Sequence, residues 1–400
     1  MRAGVRILVH MLQRTAESTL ALSGQRFHVT YRLLGDVREA EARAREISIE
    51  QTVEFPESLI HSPEIREHII GRLESIQVVD AAHCDVTISY AVETSGFELT
   101  QLLNVIFGNT SLQPNVRVVN VALPDALLQA LHGPRFGQAG LRALLGVPKR
   151  PLLCTAIKPM GLSPKALAEL TYALALGGVD IIKDDHGLAD QPFARFRERV
   201  ERCAEAVARA NQQTGYRCVY APNVSANGEQ TLENARFAKQ AGAGALLIAP
   251  GLVSFGLMAQ IAADDTIGLP ILGHPAFLGG FVAHPSGGIA HSVLFGLFMR
   301  LAGADATIFP NYGGRFAFSR EACESIAHAA RAPLGALKPI FPTPAGGMTL
   351  ARVPEMRSVY GDDVILLIGG GLHSAGPDLL SNCRRFREMA ESELVHPASA

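Results

Sequence analysis

The pattern of apolar and polar positions changes character part-way along the chain. Up to about residue 135, short alternating stretches are mixed with amphipathic ones. Alternation and the Phe, Val and Tyr of "RFHVTYRLLG" (26–35) predict a strand. "VREAEARAREISIEQ" (37–51) reads as a helix running into a strand. "EIREHIIGRLESIQVVD" (64–80) and "HCDVTISYAV" (83–92) continue the α/β pattern. "TQLLNVIFG" (100–108) reads as a helix and "VRVVNVALP" (116–124) as a strand. Together they suggest a small sheet with helices on one face, from which "HGPRFGQAGLRALLG" (132–146) leads out.

From about residue 150, near-continuous apolar runs alternate with Ala- and Leu-rich segments. The runs are "LLCTAI", "VDII", "RCVYA", "ALLIA", "LPILG", "ATIF", "LKPIF" and "VILLI", eight in all. Segments such as "PKALAELTYALALGG" and "RFRERVERCAEAVARAN" separate them with helical periodicity. Strands without alternation, separated by helices, predict a parallel sheet covered by helices. Eight units predict a closed (β/α)8 barrel; a doubly wound sheet is the alternative. The "GGG" after the eighth run lacks the context of a dinucleotide fingerprint, which removes the nucleotide-fold reading. The expected division is therefore an α/β domain over 1–140 and a barrel domain, with C-terminal helices, over 141–400.

Composition narrows the class. The 400 residues are 48% hydrophobic and 18% charged, with a net charge of -2, ordinary for a folded chain. A near-neutral balance gives no long-range pull toward nucleic acid or anionic lipid, and neither is expected as a partner. The six cysteines form no CxxC pair and read as reduced thiols of a cytoplasmic protein. The opening "MRAGVRILVHMLQR" reads as a strand, a weakly ordered extension or the product of an upstream start codon, not a signal peptide. No charge-free run is long enough to span a bilayer.

The barrel reading orders the polar residues. Lys158 follows the first run; Lys183, Asp185 and His186 come with the second; Asn223, His274 and Asn311 follow the third, fifth and sixth. Ala345-Gly346-Gly347 and Gly369-Gly370-Gly371 follow the last two. All would ring the C-terminal mouth, where barrels hold their chemistry. Aspartates at the end of a buried strand are costly unless a cation meets them. Asp185 is the first choice as a Mg2+ ligand, since Mg2+ takes hard oxygen donors. Lys183, two residues earlier in a strand, faces the same side. It can serve as a ligand only as a carbamate; a Lys183–Asp185 salt bridge is the alternative. Lys158 could neutralise an enolate or carry a proton, or else form a salt bridge within the barrel. The two glycine clusters expose N–H groups suited to phosphate, and Arg315 could clamp a carboxylate or phosphate. His274 is the candidate of its histidine-rich segment; loop or surface roles suit His284 and His291.

These residues carry a resemblance. "AIKPMGLSPKALAELTYALALGGVDIIKDDHGLADQPFARFRERV" resembles the first two barrel strands and loops of the RuBisCO superfamily, specifically the RuBisCO-like proteins of form IV type. The similarity runs from "IEQTVEFP" through "LLNVIFGN" to "LLIGGGLHSAGPDLLSNCRRF". The resemblance implies a small, ferredoxin-like α/β domain followed by a (β/α)8 TIM barrel. It implies a homodimer whose subunits share the active site, with Glu50 and Asn104 supplied by the partner. It implies carbamylation of Lys183, Mg2+ on Asp185, His186 in the place of the second acidic ligand, and Lys158 beside the enolate.

Several positions depart from true RuBisCO. "KPMGLS" lacks the lysine that follows the proline, Pro275 stands where an arginine belongs, and Phe309 and Pro310 replace a histidine and a serine. Arg315 stands in for a flexible-loop lysine, and Ala345 replaces a serine. Carboxylation of ribulose bisphosphate is therefore not expected, and one phosphate site is expected in place of two. What remains is Mg2+-dependent enolate chemistry on a phosphorylated keto-sugar or keto-sugar acid. Decarboxylation of 3-oxo-isoapionate 4-phosphate is the first expectation. The alternatives are transcarboxylation and hydrolysis of that compound, isomerisation or enolisation of a methylthio-pentulose phosphate in sulfur salvage, and an inactive regulatory barrel.

Overall fold

The computed structural model describes residues 20–392; the opening "MRAGVRILVHMLQR" lies outside them. The chain divides into two compact units. The first comprises the described residues up to Ala130 together with His284–Gly288; the second holds the rest.

The first unit is built on β1 (Arg26–Leu34), β2 (Arg72–Val78), β3 (His83–Ala91) and β4 (Val116–Ala122). Buried and half-buried residues alternate along β1, as expected of a strand with one face on a core. The antiparallel sheet runs β4-β1-β3-β2, with the two-residue β10 (Gly288–Ile289) beyond β4. With the helices Val37–Glu50 and Leu99–Phe107 this is the ferredoxin-like order, strand–helix–strand–strand–helix–strand.

The expected strand at the end of "VREAEARAREISIEQ" is corrected. The segment is one helix through Glu50, capped by Asp36, whose side chain accepts from the N–H groups of Arg38 and Glu39. Its β-branched Ile47 is buried with Ala40, Ala44 and Ser48, a 3.6-residue spacing that decides the matter against strand propensity. Arg117 on β4 donates to the carbonyls of His284 (2.6 Å) and Gly287 (2.9 Å), tying in the late segment.

The second unit has eight parallel strands: β5 (Leu152–Ile157), β6 (Ile181–Asp184), β7 (Val219–Ala221), β8 (Leu246–Ile248), β9 (Ile271–Gly273), β11 (Ala306–Pro310), β12 (Phe341–Ala345) and β13 (Ile365–Leu367). The seventh run is corrected: "LKPIF" meets its strand only at Phe341, and the strand continues through "PTPA". They form two parallel four-stranded ladders, β13-β5-β6-β7 and β8-β9-β11-β12. A bridge between Asn223 and Leu247 joins the ladders on one side; β12 and β13 lie together on the other. Leu152, Ile181, Leu247, Leu272, Ile308 and Ile365 pack inside the ring. Each contributes roughly 1.5–3 kcal/mol by leaving water.

The helix Gly137–Leu145 presents Leu141 and Leu145 to the same core. The Asp305 carboxylate, just before β11, accepts from the N–H groups of Phe136, Gly137 and Ile271 and fixes that helix to the strands. All six cysteines are buried and none is bonded to another. Among the described residues, no helix is long and apolar enough to cross a membrane.

Candidate active site

The apolar run "VDIIKDDHG" ends in charge because Lys183 and Asp185 face one cavity, while Asp184 between them faces a buried network on the other side of the strand. Lys183, still inside β6, pairs in register with Ala156 on β5 and Ala221 on β7. Those methyl groups leave room for a long side chain within the barrel. Lys183 is 3% exposed, and its Nζ donates to the carbonyl of Asp184 at 3.0 Å. Burial holds its ammonium below the usual lysine range. Asp184, one residue on, faces the other way. It is fully buried and accepts from Tyr220 Oη (2.6 Å), the Asn223 N–H (3.0 Å) and Arg199 Nε (3.2 Å).

Asp185 returns to the cavity. Its carboxylate meets Lys158 Nζ at 2.9 Å and His186 Nδ1 at 3.3 Å. Burial raises its pKa, but hydrogen bonds from His186 and Lys158 and the charges of Lys158 and Lys183 outweigh that and hold it below the usual carboxylate range. Lys158, rather than Lys183, is thus the ion-pair partner of Asp185. The His186 ring stacks on His274, centroids 4.4 Å apart and planes at 16°. His274 Nδ1 accepts from the Ala276 N–H at 3.1 Å, which places the proton of the neutral ring on Nε2. Burial, then the charge of Lys183, pushes His274 down to about 2.

Lys158, Lys183, Asp185, His186 and His274 line one cavity of about 720 Å³, with Arg315, Gly346, Gly347, Gly369, Gly370 and Gly371 also in its wall. Gly346 and Gly347 both have φ near +80°, a conformation that side chains oppose. The N–H groups of these five glycines donate to no acceptor in the chain among the described residues, which leaves them available to an anion. Arg315 has no acidic partner among the described residues; its guanidinium lies 5.5 Å from the Phe316 ring centre. Sequence reasoning missed much of the remaining wall: Phe277, Phe295, Phe316, Phe318 and Met348 join Phe309, Pro310 and Pro275. The phenylalanines of "GGRFAFS" were the one visible signal.

Asn311 is corrected. It is fully buried, outside the cavity wall. Its amide faces the sulfurs of Met348 and Met356, and its oxygen accepts from Tyr360 Oη at 2.7 Å. A strand-end position fixes height along the barrel, not the side on which a side chain falls. Asn223 likewise stays out of the wall; its Nδ2 donates to the carbonyls of His186 (2.9 Å) and Leu188 (3.0 Å). His284 lends its carbonyl to Arg117, and the His291 ring meets Phe318 edge-on. In the first unit, Glu50 ends its helix and accepts from Asn109 Nδ2 at 3.0 Å, a partner the sequence did not single out. Asn104 is exposed and donates to Gln101 Oε1 at 3.3 Å.

Residues 137–378 match the family described as ribulose bisphosphate carboxylase large chain, catalytic domain. The chain belongs to the RuBisCO family. Within it the resemblance is to the RuBisCO-like proteins. A crystal structure of a RuBisCO-like protein from Rhodopseudomonas palustris is 42% identical, with a TM-score of 0.84 over 92% of this chain and 98% of that one. The 5-methylthioribulose-1-phosphate isomerase of Rhodospirillum rubrum is 43% identical over 90% of this chain and 95% of its own. The 2,3-diketo-5-methylthiopentyl-1-phosphate enolase of Geobacillus thermodenitrificans is 35% identical over 78% and 75%. These relatives are an isomerase and an enolase of methylthio-sugar phosphates, neither named as a carboxylase nor as a decarboxylase. The first expectation, decarboxylation, draws no support from them.

Proposed function

We propose that this RuBisCO-like chain isomerises a 5-methylthiopentulose 1-phosphate by moving a proton between carbons beside its carbonyl. One observation carries the reading. A single cavity gathers lysines, a carboxylate and imidazoles with free glycine N–H groups, and walls the remainder with aromatic rings. A substrate with one phosphate, a ketose centre and an apolar thioether tail matches those three surfaces.

The donor set suits Mg2+ on one condition. Among the described residues, no three His, Cys, Asp or Glu side chains are placed together to hold an ion. Lys183 supplies the missing oxygens once its amine has added CO2, and burial favours the neutral amine that CO2 requires. Carbamylated Lys183, Asp185 and His186 would then hold the ion. When bound, Mg2+ would polarise the substrate carbonyl and make the neighbouring C–H more acidic. Lys158, ion-paired with Asp185 in the metal-free cavity, would be released as Asp185 turns to the ion; its neutral amine would then take the proton and return it from the ammonium, worth ~10²–10⁴ in rate. Arg315 and the glycine N–H groups would hold the phosphate. The active unit would be a homodimer in which Glu50 and Asn104 of each chain complete the partner's cavity.

The test uses 5-methylthioribulose 1-phosphate with Mg2+ and bicarbonate in D2O, followed by NMR. Deuterium entering beside the carbonyl, and lost in Lys158→Ala, supports the reading. No exchange with this compound, together with CO2 release from 3-oxo-isoapionate 4-phosphate, overturns it in favour of decarboxylation.

A further inference from the structure

A fully buried ion pair sits directly behind the catalytic strand. Arg199 and Asp184 are both 0% exposed, with Nε and Oδ2 3.2 Å apart. Burying such a pair strips both ions of their hydration, and apolar residues of similar size often stabilise as well or better. The helix that carries Arg199, Phe196–Thr214, buries Val200, Cys203 and Val207 as well. Stability alone therefore gives no reason for an arginine here.

Its other contacts give one. Arg199 Nη1 donates to the carbonyls of Ala189 and Ala194, both at 2.7 Å. Asn223, whose N–H also reaches Asp184, sends its side-chain amide to the carbonyls of His186 and Leu188. Four carbonyls of one loop, at His186, Leu188, Ala189 and Ala194, are thus held by the side chains of two residues, Arg199 and Asn223, each of which also donates to Asp184, the first through Nε and the second through its backbone N–H. Tyr220 closes the network from β7 through its hydroxyl on Asp184. The loop begins with Asp185 and His186, which line the cavity.

We infer that Arg199, Asp184 and Asn223 form a buried clamp that aims Asp185 and His186 into the cavity. They are positioning residues: they lie outside the cavity wall and act through the loop backbone. The inference rests on the proposed role of Asp185 and His186 in holding a divalent ion. A lysine at 199 could still pair with Asp184, but its single nitrogen lacks the fork that reaches two loop carbonyls as well.

The experiment compares wild type, Asn223→Ala and Arg199→Lys. Mn2+ binding with bicarbonate is read by electron paramagnetic resonance, and amide hydrogen exchange over residues 186–194 by mass spectrometry. Asn223→Ala removes no charge, so it remains informative if Arg199→Lys does not fold. The expected result is at least tenfold weaker Mn2+ binding and at least tenfold faster exchange in the loop, with exchange in β11 and β12 unchanged. Loop exchange as slow in Asn223→Ala as in wild type overturns the clamp. Failure of wild type to bind Mn2+, with loop exchange still accelerated in the variant, overturns the metal reading and leaves the clamp standing.

Discussion

Two neighbouring glycines separate packing from ligand binding. At Gly370, an added Cβ would meet nothing within 4 Å; at Gly371, it would fall 2.2 Å from the Met348 carbonyl oxygen and 3.3 Å from Thr349 Cα. Both line the cavity, and both lie in the short helix Gly370–His373. Gly370→Ala therefore costs no packing and restricts the unfolded chain, a gain of roughly 0.4–1 kcal/mol. Gly371→Ala must move backbone by about an ångström to restore van der Waals contact, at a cost of about 1–3 kcal/mol. If the glycine N–H groups hold a phosphate, the new methyl of Gly370→Ala intrudes on the anion and not on the protein. Losing about 1.4 kcal/mol there is a tenfold rise in KM. The assays are urea unfolding, steady-state kinetics and competitive inhibition by inorganic phosphate. The expected pattern for Gly370→Ala is unchanged or higher stability, KM and the phosphate inhibition constant raised about tenfold, and kcat within a few-fold. Unchanged KM and phosphate inhibition would refute the cradle; a stability loss above about 1 kcal/mol would refute the packing argument.

Other expectations follow from the same geometry. Lys183→Met keeps the aliphatic stem between Ala156 and Ala221 and removes a buried ammonium. Its stability should be unchanged or higher, while ¹³C-bicarbonate should give no carbamate signal; bicarbonate-dependent Mn2+ binding that survives would count against the assignment. His274 sits at about 2 when folded against an ordinary 6.5, so below pH 6.5 the unfolded chain binds a proton that the folded one does not. That part of the stability is intact above pH 6.5 and falls by about 1.4 kcal/mol per unit as pH drops below it. His274→Gln should flatten the acid side of the stability profile of metal-free protein between pH 6.5 and 4.5, and identical profiles would refute it. Leu141→Ala, at a fully buried side chain of the barrel core, should lose about 2–5 kcal/mol in urea unfolding; a loss under 1 kcal/mol would show that the helix does not plug that core.

How much was legible depended on the range of the physics involved. The number of strands was readable because barrel interiors demand near-continuous apolar runs; the seventh was misplaced, because its strand is "FPTPA", whose prolines and threonine hide it behind the more apolar "LKPIF". The placement of Lys183 and Asp185 on one side of the strand, in the cavity wall, was readable because alternation in a strand is local. The direction of Asn311 was not, because Tyr360 and Met356, far along the chain, decide it. The Arg199 clamp was hidden for the same reason, its guanidinium spanning from a helix to β6 and a loop. The helix to Glu50 was missed at its end because Ile47 and Ile49 have strand propensity, and burial at helical spacing overrode it. The aromatic wall comes from separate loops whose meeting no local pattern encodes.

The segment His284–Gly288 has a consequence for the order in which this protein can be made. It belongs to the first unit although more than 150 residues separate it from Ala130. During synthesis, β4 and Arg117 emerge long before the carbonyls that Arg117 holds. The nascent first unit must wait with that sheet edge uncovered while β5 to β9 are translated. An uncovered edge is a template for unwanted pairing. A fragment ending near residue 135 would keep that edge open permanently, so truncation at the apparent boundary should give an aggregating product where the full chain does not.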